Sequence, residues 1–210
     1  MNGRRTLFIA AVLMLAGLLG AAGAKLHSRY KMRCDDVPCP HLTARLMAIE
    51  SVIRQRDGVP SYIVIGDSHT EFADLPEICG RKPINAGIAA ASTTTFRTEA
   101  KRLAELSQPD FIVVALGTND AQYKRADGFR KRFDELVSSL SKWKVVVVPV
   151  PPSSNVPDVD LFNQEITSLP VRSAAKLDRA DTTDGVHLAA SSYAEWNRHI
   201  VEAASALACN

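Results

Sequence analysis

Four short segments of the sequence carry side chains that together could transfer an acyl group. In chain order they are Gly66-Asp67-Ser68-His69, Asn85-Ala86-Gly87, Gly117-Thr118-Asn119-Asp120 and Asp184-Gly185-Val186-His187. A serine attacks a carbonyl once a histidine takes its proton, and a carboxylate orients that histidine. We therefore predict Ser68 as the nucleophile, His187 as the base and Asp184 as the partner of the base. Gly87 and Asn119 are predicted to donate hydrogen bonds to the developing oxyanion.

Asp184 and His187 stand three residues apart in a stretch rich in turn-forming residues. This spacing can bring the carboxylate to Nδ1 of the imidazole, which leaves Nε2 free to face a serine. The order serine, aspartate, histidine along the chain also occurs in α/β-hydrolases. However, the Gly-x-Ser-x-Gly segment of those enzymes is absent from this sequence, which argues against that group.

Each segment also has a structural interpretation when it is taken alone. Gly66-Asp67-Ser68 is ordinary turn chemistry, and Gly87 could be a turn residue that serves the backbone only. Asn119 and Asp120 could cap a helix, and His187 could be a polar residue without catalytic use. All four segments would have to be structural by coincidence, in an order that suits acyl transfer. The set as a whole therefore favours catalysis.

Taken together, the segments resemble the sequence blocks of the SGNH (GDSL-like) hydrolase family, over about residues 59–208. The resemblance implies the same three catalytic roles. It also implies an oxyanion hole made by the backbone N–H of Ser68, the N–H of Gly87 and the side-chain amide of Asn119. It implies that neither a cofactor nor a metal is needed.

One residue departs from this resemblance. His69 stands where the best-known members of the family have leucine, and variants with histidine here resemble sugar O-acyl esterases and the SGNH domains of acyltransferases. His69 could contact substrate or cap the turn, and we favour the cap. A metal site made by His69, His187 and Asp184 is disfavoured, because the triad already uses these groups.

Short apolar runs alternate with amphipathic segments along most of the chain. The runs at 61–65 and 111–116 end just before the segments of Ser68 and Asn119, so both residues are expected at the carboxyl edge of a sheet, where open α/β sheets bind ligands. The alternation predicts a single α/β domain with a doubly wound, mostly parallel, five-stranded sheet flanked by helices. The resemblance makes this a flavodoxin-like SGNH hydrolase fold.

The other predicted elements follow from the same patterns. Further strands are predicted near 83–85, at 144–150 and near 175–177. Helices are predicted at 41–56, about 96–106, 127–141, 158–168 and 189–208.

The chain has 210 residues, of which 46% are hydrophobic, and its formal net charge is +2. This length suits one domain with an ample core, and the balanced charge does not point to nucleic acid. The most basic stretch contains Lys124, Arg125, Arg130, Lys131 and Arg132. Phe129 and Phe133 interleave with it at helical spacing, which favours the solvated face of an amphipathic helix over contact with an anionic glycan or lipid surface.

The first 24 residues are typical of a targeting segment. Arg4 and Arg5 precede an uncharged, mostly apolar run, and Ala22-Gly23-Ala24 offers a small-residue cleavage site. We predict a signal peptide or membrane anchor at 1–24, an N-terminal extension with one helix at 25–58 and the hydrolase domain at 59–210.

The sequence contains 4 cysteines, an even number that suits two disulfides in an oxidising compartment. Cys34 and Cys39 enclose a tight turn that could close locally. Cys79 and Cys209 are predicted to meet at the sheet edge opposite the catalytic loops, because the final helix starts at the catalytic edge and ends at Cys209. The alternative is that these residues are buried free thiols.

These observations predict an exported serine esterase that is periplasmic, secreted, or anchored to the membrane through residues 6–24. Its substrate would be a short-chain acyl ester of a small molecule or glycan, hydrolysed without a cofactor and without a nucleic-acid partner. One alternative is an O-acyltransferase, in which a glycan hydroxyl replaces water in the second step. A second alternative is a non-catalytic surface-binding module.

Overall fold

The computed structural model describes residues 40–209. Its strands are β1 Ser61–Gly66, β2 Lys82–Gly87, β3 Phe111–Ala115, β4 Lys144–Val147 and β5 Arg172–Ser173. Its helices are α1 Pro40–Gln55, α2 Ser68–Glu71, α3 Phe96–Ser107, α4 Thr118–Gln122, α5 Phe129–Ser139, α6 Val159–Thr167 and α7 Ala190–Ala208. Within these residues the 5 strands form one sheet in the order β2-β1-β3-β4-β5, and every pairing is parallel.

This strand order confirms the predicted doubly wound sheet. The chain adds β2 on one side of β1 and then crosses to add β3 on the other side, so the strand order reverses at β1. Gly66 at the end of β1 pairs with Gly87 of β2 and with Ala115 of β3. The carboxyl ends of these three strands are therefore level, and the loops that follow them meet at one edge.

The two central strands are buried on both faces because helices cover the sheet from both sides. In β1, Ile63 and Ile65 belong to the core that includes residues of α1, α3, α5 and α6. Tyr62 and Val64 belong to the opposite core, which they share with Trp196 of α7. Burial of both sets explains why the strand reads as a continuous apolar run instead of an alternating one.

Helix α1 packs into the same core as the strands. Its Ile49 and Ile53 are buried within the cluster that contains Ile84 of β2. Arg45 on the same helix donates from Nε to the carbonyl oxygen of Gly87 at 2.8 Å. The helix predicted within the 25–58 extension is therefore packed on the sheet, close to the strand ends that carry the candidate site.

The last strand differs from its predicted position. β5 consists of Arg172 and Ser173, and not of residues near 175–177. Ala174 and Leu177 are buried in the core beneath α7 without pairing as a strand. Their apolar character therefore reflects packing against a helix, which a short sequence window does not distinguish from a strand.

β4 is shorter than the predicted run of 144–150. Its pairing ends at Val147: the N–H of Val148 still donates to the carbonyl of Val114 at 2.8 Å, but Pro149 has no N–H to continue the ladder. At Val150 the side chain of Asn163 in α6 replaces the strand partner. It accepts the Val150 N–H at 2.7 Å and donates to the Val150 carbonyl at 3.0 Å.

Cys79 and Cys209 form a disulfide, with 5.5 Å between their Cα atoms, as predicted. Cys79 lies in the connection that leads into β2, and Cys209 directly follows α7. Near the end of α7, the carbonyl of Leu207 accepts a hydrogen bond from Nζ of Lys144, the first residue of β4, at 3.1 Å. The disulfide therefore lies near the amino ends of the strands, away from Ser68.

Several predictions concern residues outside the described part of the chain. They are the targeting segment at 1–24, the membrane association through 6–24 and the local pairing of Cys34 with Cys39. None of the helices within residues 40–209 is long and apolar enough to cross a membrane.

Candidate active site

Ser68 is the first residue of α2, immediately after β1 ends. Asp67 caps this short helix, because its side chain accepts the N–H of His69 at 3.0 Å. The whole turn is buried, and Ser68 itself is 6% exposed. Gly87 of β2 packs under the turn so closely that a Cβ on it would lie 2.1 Å from the backbone nitrogen of Glu71. The nucleophile candidate therefore stands on a rigid part of the sheet edge.

The structure brings Ser68, His187 and Asp184 together. Nε2 of His187 lies 3.1 Å from Oγ of Ser68, and Nδ1 of His187 lies 2.6 Å from Oδ2 of Asp184. This is the arrangement in which an imidazole can take a proton from a serine while a carboxylate holds its other nitrogen.

The second carboxylate oxygen of Asp184 organises the backbone around it. Oδ1 accepts the N–H of His187 at 2.8 Å and the N–H of Val186 at 3.0 Å. The hydrogen bond from the His187 backbone, followed by that from its ring, lowers the pKa of Asp184 to about 2. Asp184 is consequently ionised at neutral pH, as a partner for an imidazolium must be.

Asp184 and His187 lie on a partly exposed loop, residues 181–189, which we call the acid–base loop. Asn155, which follows β4 in the chain, binds it twice: its backbone N–H donates to the carbonyl of Gly185 and its Nδ2 donates to the carbonyl of Asp184, both at 2.9 Å. Gly185 has a φ of +84°, and a Cβ there would lie 2.2 Å from Nδ2 of Asn155. Glycine is required at this position by both the conformation and the close contact.

Asn119 lies in the first turn of α4, a helix that the sequence analysis did not predict. It does not cap the helix, since the residue before α4 is Gly117 and no side chain caps it. Instead, its Nδ2 donates to the carbonyl of Ala91 at 2.9 Å. An amide has two N–H groups, so the second hydrogen of Asn119 remains to be donated elsewhere.

Asp120 joins helix α4 to the loop that follows β2. It is fully buried, and its carboxylate accepts the N–H and the hydroxyl of Thr93 at 3.0 and 2.7 Å. Burial raises the pKa of Asp120, although the two hydrogen bonds from Thr93 and the charge of Arg132 oppose that rise. This contact holds the loop after β2 against α4, next to the bond between Asn119 and Ala91.

Gly87 does not present a free N–H in this structure. Its N–H donates to Oδ1 of Asn85 at 2.9 Å. The first N–H without a hydrogen bond to the described residues in the loop that follows is that of Ala90, whose φ is +63°. Ala90 lies in a turn closed by the N–H of Ala91 and the carbonyl of Ile88 at 3.0 Å. No local sequence pattern marks an alanine that adopts the left-handed conformation, so this residue could not be predicted from the sequence.

His69 points into the protein, and neither interpretation of it from the sequence describes what it does. It is 2% exposed, so it does not line the open site, and the turn is capped by Asp67. Its Nε2 lies 3.0 Å from the carbonyl oxygen of Val186, and its Nδ1 lies 3.2 Å from Oδ1 of Asp67 and 3.3 Å from Oγ1 of Thr118. Its side chain therefore connects the Ser68 turn with the acid–base loop.

An exposed aromatic ring stands beside the base. Phe72, which follows α2, is 58% exposed, and its ring centre lies 5.5 Å from that of His187. Groups of three or more His, Cys, Asp or Glu arranged to hold a metal ion are absent from residues 40–209.

Solved structures of similar fold include a lipase/acylhydrolase from Enterococcus faecalis, with a TM-score of 0.61 and 17% identity over 70% of this chain and 96% of that one. A GDSL-like lipase from Bacteroides thetaiotaomicron has a TM-score of 0.58 and 16% identity over 77% and 96% of the two chains. A carbohydrate esterase of family 3 from Talaromyces cellulolyticus has a TM-score of 0.54 and 16% identity over 68% and 95%. No family sequence model and no curated protein sequence matches the chain. The chain has the fold of the SGNH (GDSL-like) hydrolases.

Proposed function

We propose that this protein is a serine ester hydrolase whose catalytic triad is Ser68, His187 and Asp184. The observation that carries the proposal is the unbroken hydrogen-bonded chain from Oγ of Ser68 through the imidazole to the carboxylate, at 3.1 and 2.6 Å. It lies at the carboxyl edge of the sheet, where this class of fold binds its ligands. The neighbours of similar fold are a lipase/acylhydrolase, a GDSL-like lipase and a carbohydrate esterase.

The first half of the reaction forms an acyl-enzyme. Oγ of Ser68 attacks the ester carbonyl while Nε2 of His187 takes the hydroxyl proton. The imidazolium that forms keeps its proton on Nδ1 and donates it in a hydrogen bond to Asp184, whose lowered pKa keeps the carboxylate negatively charged throughout. When the tetrahedral intermediate collapses, the C–O bond of the ester breaks and His187 returns the proton to the leaving alcohol.

The second half is hydrolysis of the acyl-enzyme. Water attacks the acyl carbonyl, His187 takes one of its protons, and that proton returns to Ser68 as the carboxylic acid leaves. The negative charge on the carbonyl oxygen needs donors in both halves. We assign them to the N–H of Ser68, the free hydrogen of the Asn119 amide and the N–H of Ala90. Ala90 replaces Gly87 in this set, because the Gly87 N–H is engaged by Asn85.

The proposed substrate is a short-chain acyl ester of a small molecule or a glycan. The leaving alcohol must lie next to His187 to receive its proton, and Phe72 lines that side with an exposed ring. An aromatic ring offers a flat apolar surface to a sugar ring or an aryl group. A glycan hydroxyl that enters from the same side would convert the hydrolase into an O-acyltransferase.

We also propose that the protein acts outside the cytoplasm, either released after cleavage of residues 1–24 or held at the membrane by residues 6–24. The Cys79–Cys209 disulfide supports this location, because such bonds persist in oxidising compartments. Fractionation of cells that express the full chain tests this location, and recovery of the protein in the cytoplasm with free thiols contradicts it.

The test of the activity is hydrolysis of p-nitrophenyl esters of increasing acyl length by the wild type and by Ser68→Ala. Turnover that disappears in the variant, with short acyl groups preferred, is the expected result. Labelling of Ser68 by a fluorophosphonate separates an enzyme from a binding module, since a module without a working triad is not labelled. Product analysis with and without a glycan acceptor separates hydrolysis from acyl transfer.

A further inference from the structure

We propose that His69 is a positioning residue, whose buried ring, paired with Asp67, holds the carbonyl of Val186 and so sets the distance between the base His187 and the nucleophile. This inference rests on the proposed function of the triad. It assigns a role to the residue that follows the nucleophile and does not itself touch substrate.

The contact with Val186 fixes which nitrogen of His69 carries hydrogen. A carbonyl oxygen can only accept, so Nε2 of His69, at 3.0 Å, must be the donor. Oγ of Ser153 also donates to this carbonyl, at 3.3 Å. Val186 lies between the carboxylate and the base in the sequence, so a displacement of its carbonyl moves both.

The other nitrogen of the ring indicates the charge of His69. Nδ1 lies 3.2 Å from Oδ1 of Asp67, a carboxylate that is 1% exposed. With Nε2 already protonated, a neutral ring would turn its lone pair towards that carboxylate, whereas an imidazolium donates to it. Oδ2 of Asp67 has no hydrogen-bond partner among residues 40–209. A positive charge on the adjacent ring of His69 would therefore balance the buried negative charge of Asp67.

The groups around His69 agree with a charged ring. Asp67 faces it from its own turn, and Asp184 and His187 face it from the acid–base loop. Tyr193 of α7 lies near as well: burial raises its pKa, and the charge of Asp67 raises it further. Burial lowers the pKa of His69, but the hydrogen bond and charge of Asp67, the Val186 carbonyl and the charge of Asp184 raise it more. The pKa of His69 is therefore raised overall.

This arrangement ties two separate parts of the site together through neighbouring residues. Ser68 and His69 are consecutive in one rigid turn, and the partners of their side chains, His187 and Val186, are consecutive in the acid–base loop. The two contacts run side by side. His69 thus connects the acid–base loop to the part of the fold that already fixes the nucleophile.

Two substitutions separate positioning from packing. Glutamine at 69 can place an amide N–H near the position of Nε2 and so keeps the donor, whereas asparagine is too short to reach Val186. We expect His69→Asn to lower kcat by about 10–100-fold with KM changed less than about twofold, because misplacement of a base by about 1 Å acts on the chemical step. We expect His69→Gln to recover a substantial part of the loss.

His199 provides a matched control within the same chain. It is also buried, and its Nδ1 lies 3.0 Å from the backbone carbonyl of Ala175, outside the triad and the acid–base loop. His199→Ala removes this contact and is expected to lower the melting temperature without lowering kcat. A loss of kcat in His199→Ala equal to that in His69→Asn would reduce His69 to a general stability role and overturn the proposal.

Two measurements do not depend on activity and are made in a Ser68→Ala background. Amide hydrogen exchange of His187 should be about tenfold faster after His69→Asn and unchanged after His199→Ala. NMR of protein with ¹⁵N-labelled histidine should find both ring nitrogens of His69 protonated at pH 7. Unchanged exchange, or a neutral His69 ring, overturns the proposal. Faster exchange in a protein whose wild type hydrolyses no ester would leave the positioning role standing and refute the proposed function instead.

Discussion

The turn that carries Ser68 and the loop that carries Asp184 and His187 meet at one point but are built in different ways. Residues 66–70 are all buried, and β1, which leads into them, lies between two other strands. The acid–base loop is only partly buried, with Leu188 as its one buried residue, and backbone and side-chain hydrogen bonds hold it in place. The nucleophile is thus positioned by the core of the protein, and the base mainly by polar contacts of a partly exposed loop.

Because the two regions are held differently, substitutions in them should have different effects. Changes on the turn alter a rigid structure, so their effects fall on the reacting atoms or on the whole fold. Changes on the loop shift the base relative to a fixed nucleophile, so their effects fall on the alignment of the reaction. The following predictions test that separation.

The largest effect is expected from Ser68→Ala. Loss of the nucleophile should lower kcat for a short p-nitrophenyl ester by about 10⁴-fold or more. The circular-dichroism spectrum and the melting temperature should not change, because the hydrogen bond that Oγ makes within the described residues is to Nε2 of His187 and not to the core. Retained turnover would show that another residue is the nucleophile.

Asp184→Asn should have the next largest effect, although Asp184 is an exposed residue of the acid–base loop. An amide there no longer selects the Nδ1–H tautomer or stabilises the imidazolium, so kcat should fall by about 10³–10⁴-fold. Substrate binding should persist, which KM in steady-state assays can check. Full activity would point instead to Asp181 as the partner of His187, or to a catalytic dyad.

Asn119→Ala tests the oxyanion donors. Asn119 is buried, so we group it with the rigid turn that carries Ser68. Loss of one such donor should lower kcat by about 10²–10³-fold and change KM much less, because the oxyanion exists only during the reaction. A raised KM with unchanged kcat would make Asn119 a contact of the bound substrate. Since its Nδ2 also donates to Ala91, thermal unfolding should be measured beside the kinetics.

Asn155→Ala tests the loop itself. This side chain binds the carbonyl of Asp184 at 2.9 Å and touches no reacting atom. We expect kcat to fall by about 3–10-fold, with a melting temperature close to that of the wild type. Gln164→Ala, an exposed change in α6, serves as the control. A loss as large as that of Asn119→Ala would mean that the loop and the turn are equally sensitive, contrary to the comparison.

The smallest expected effect is on stability in acid. The pKa of Asp184 is lowered to about 2 from 3.8, so its ionised form stabilises the folded protein. That contribution is complete above about pH 4 and disappears as the pH falls towards 2. The difference in free energy of unfolding between wild type and Asp184→Asn should therefore vanish over this range in denaturant titrations. Because Asp184 is exposed, the difference should be small and reduced by salt.

The parts of the fold that the sequence predicts well are those decided by local pattern. Two central strands, β1 and β3, are continuous apolar runs, and their bounds are predicted to within a residue. β5 has two residues, and its apolar neighbours serve a helix, so no local pattern could locate it. α4 was missed because its residues, Thr118–Gln122, are mostly polar and form a single short turn of helix.

The candidate site shows the same limit. Ser68 and Asn119 follow predicted strands, so their common edge could be inferred from the sequence alone. The engagement of the Gly87 N–H, the free N–H of Ala90 and the role of Asn155 depend on contacts between segments that no motif encodes. His69 is the clearest case: its partner Val186 is 117 positions away along the chain, and only the folded structure shows that its ring points inward.

The disulfide described above divides the covalent structure of the molecule. Cys79 and Cys209, 130 positions apart, close the chain between them into a ring that contains Asn119, Asp184 and His187. Ser68 lies outside this ring, on an arm that inserts its strand β1 between two strands of the ring. A single proteolytic cut inside the ring leaves both pieces joined, whereas one cut between Ser68 and Cys79 separates the nucleophile from its base. The active site therefore forms where non-covalent packing docks the arm into the ring.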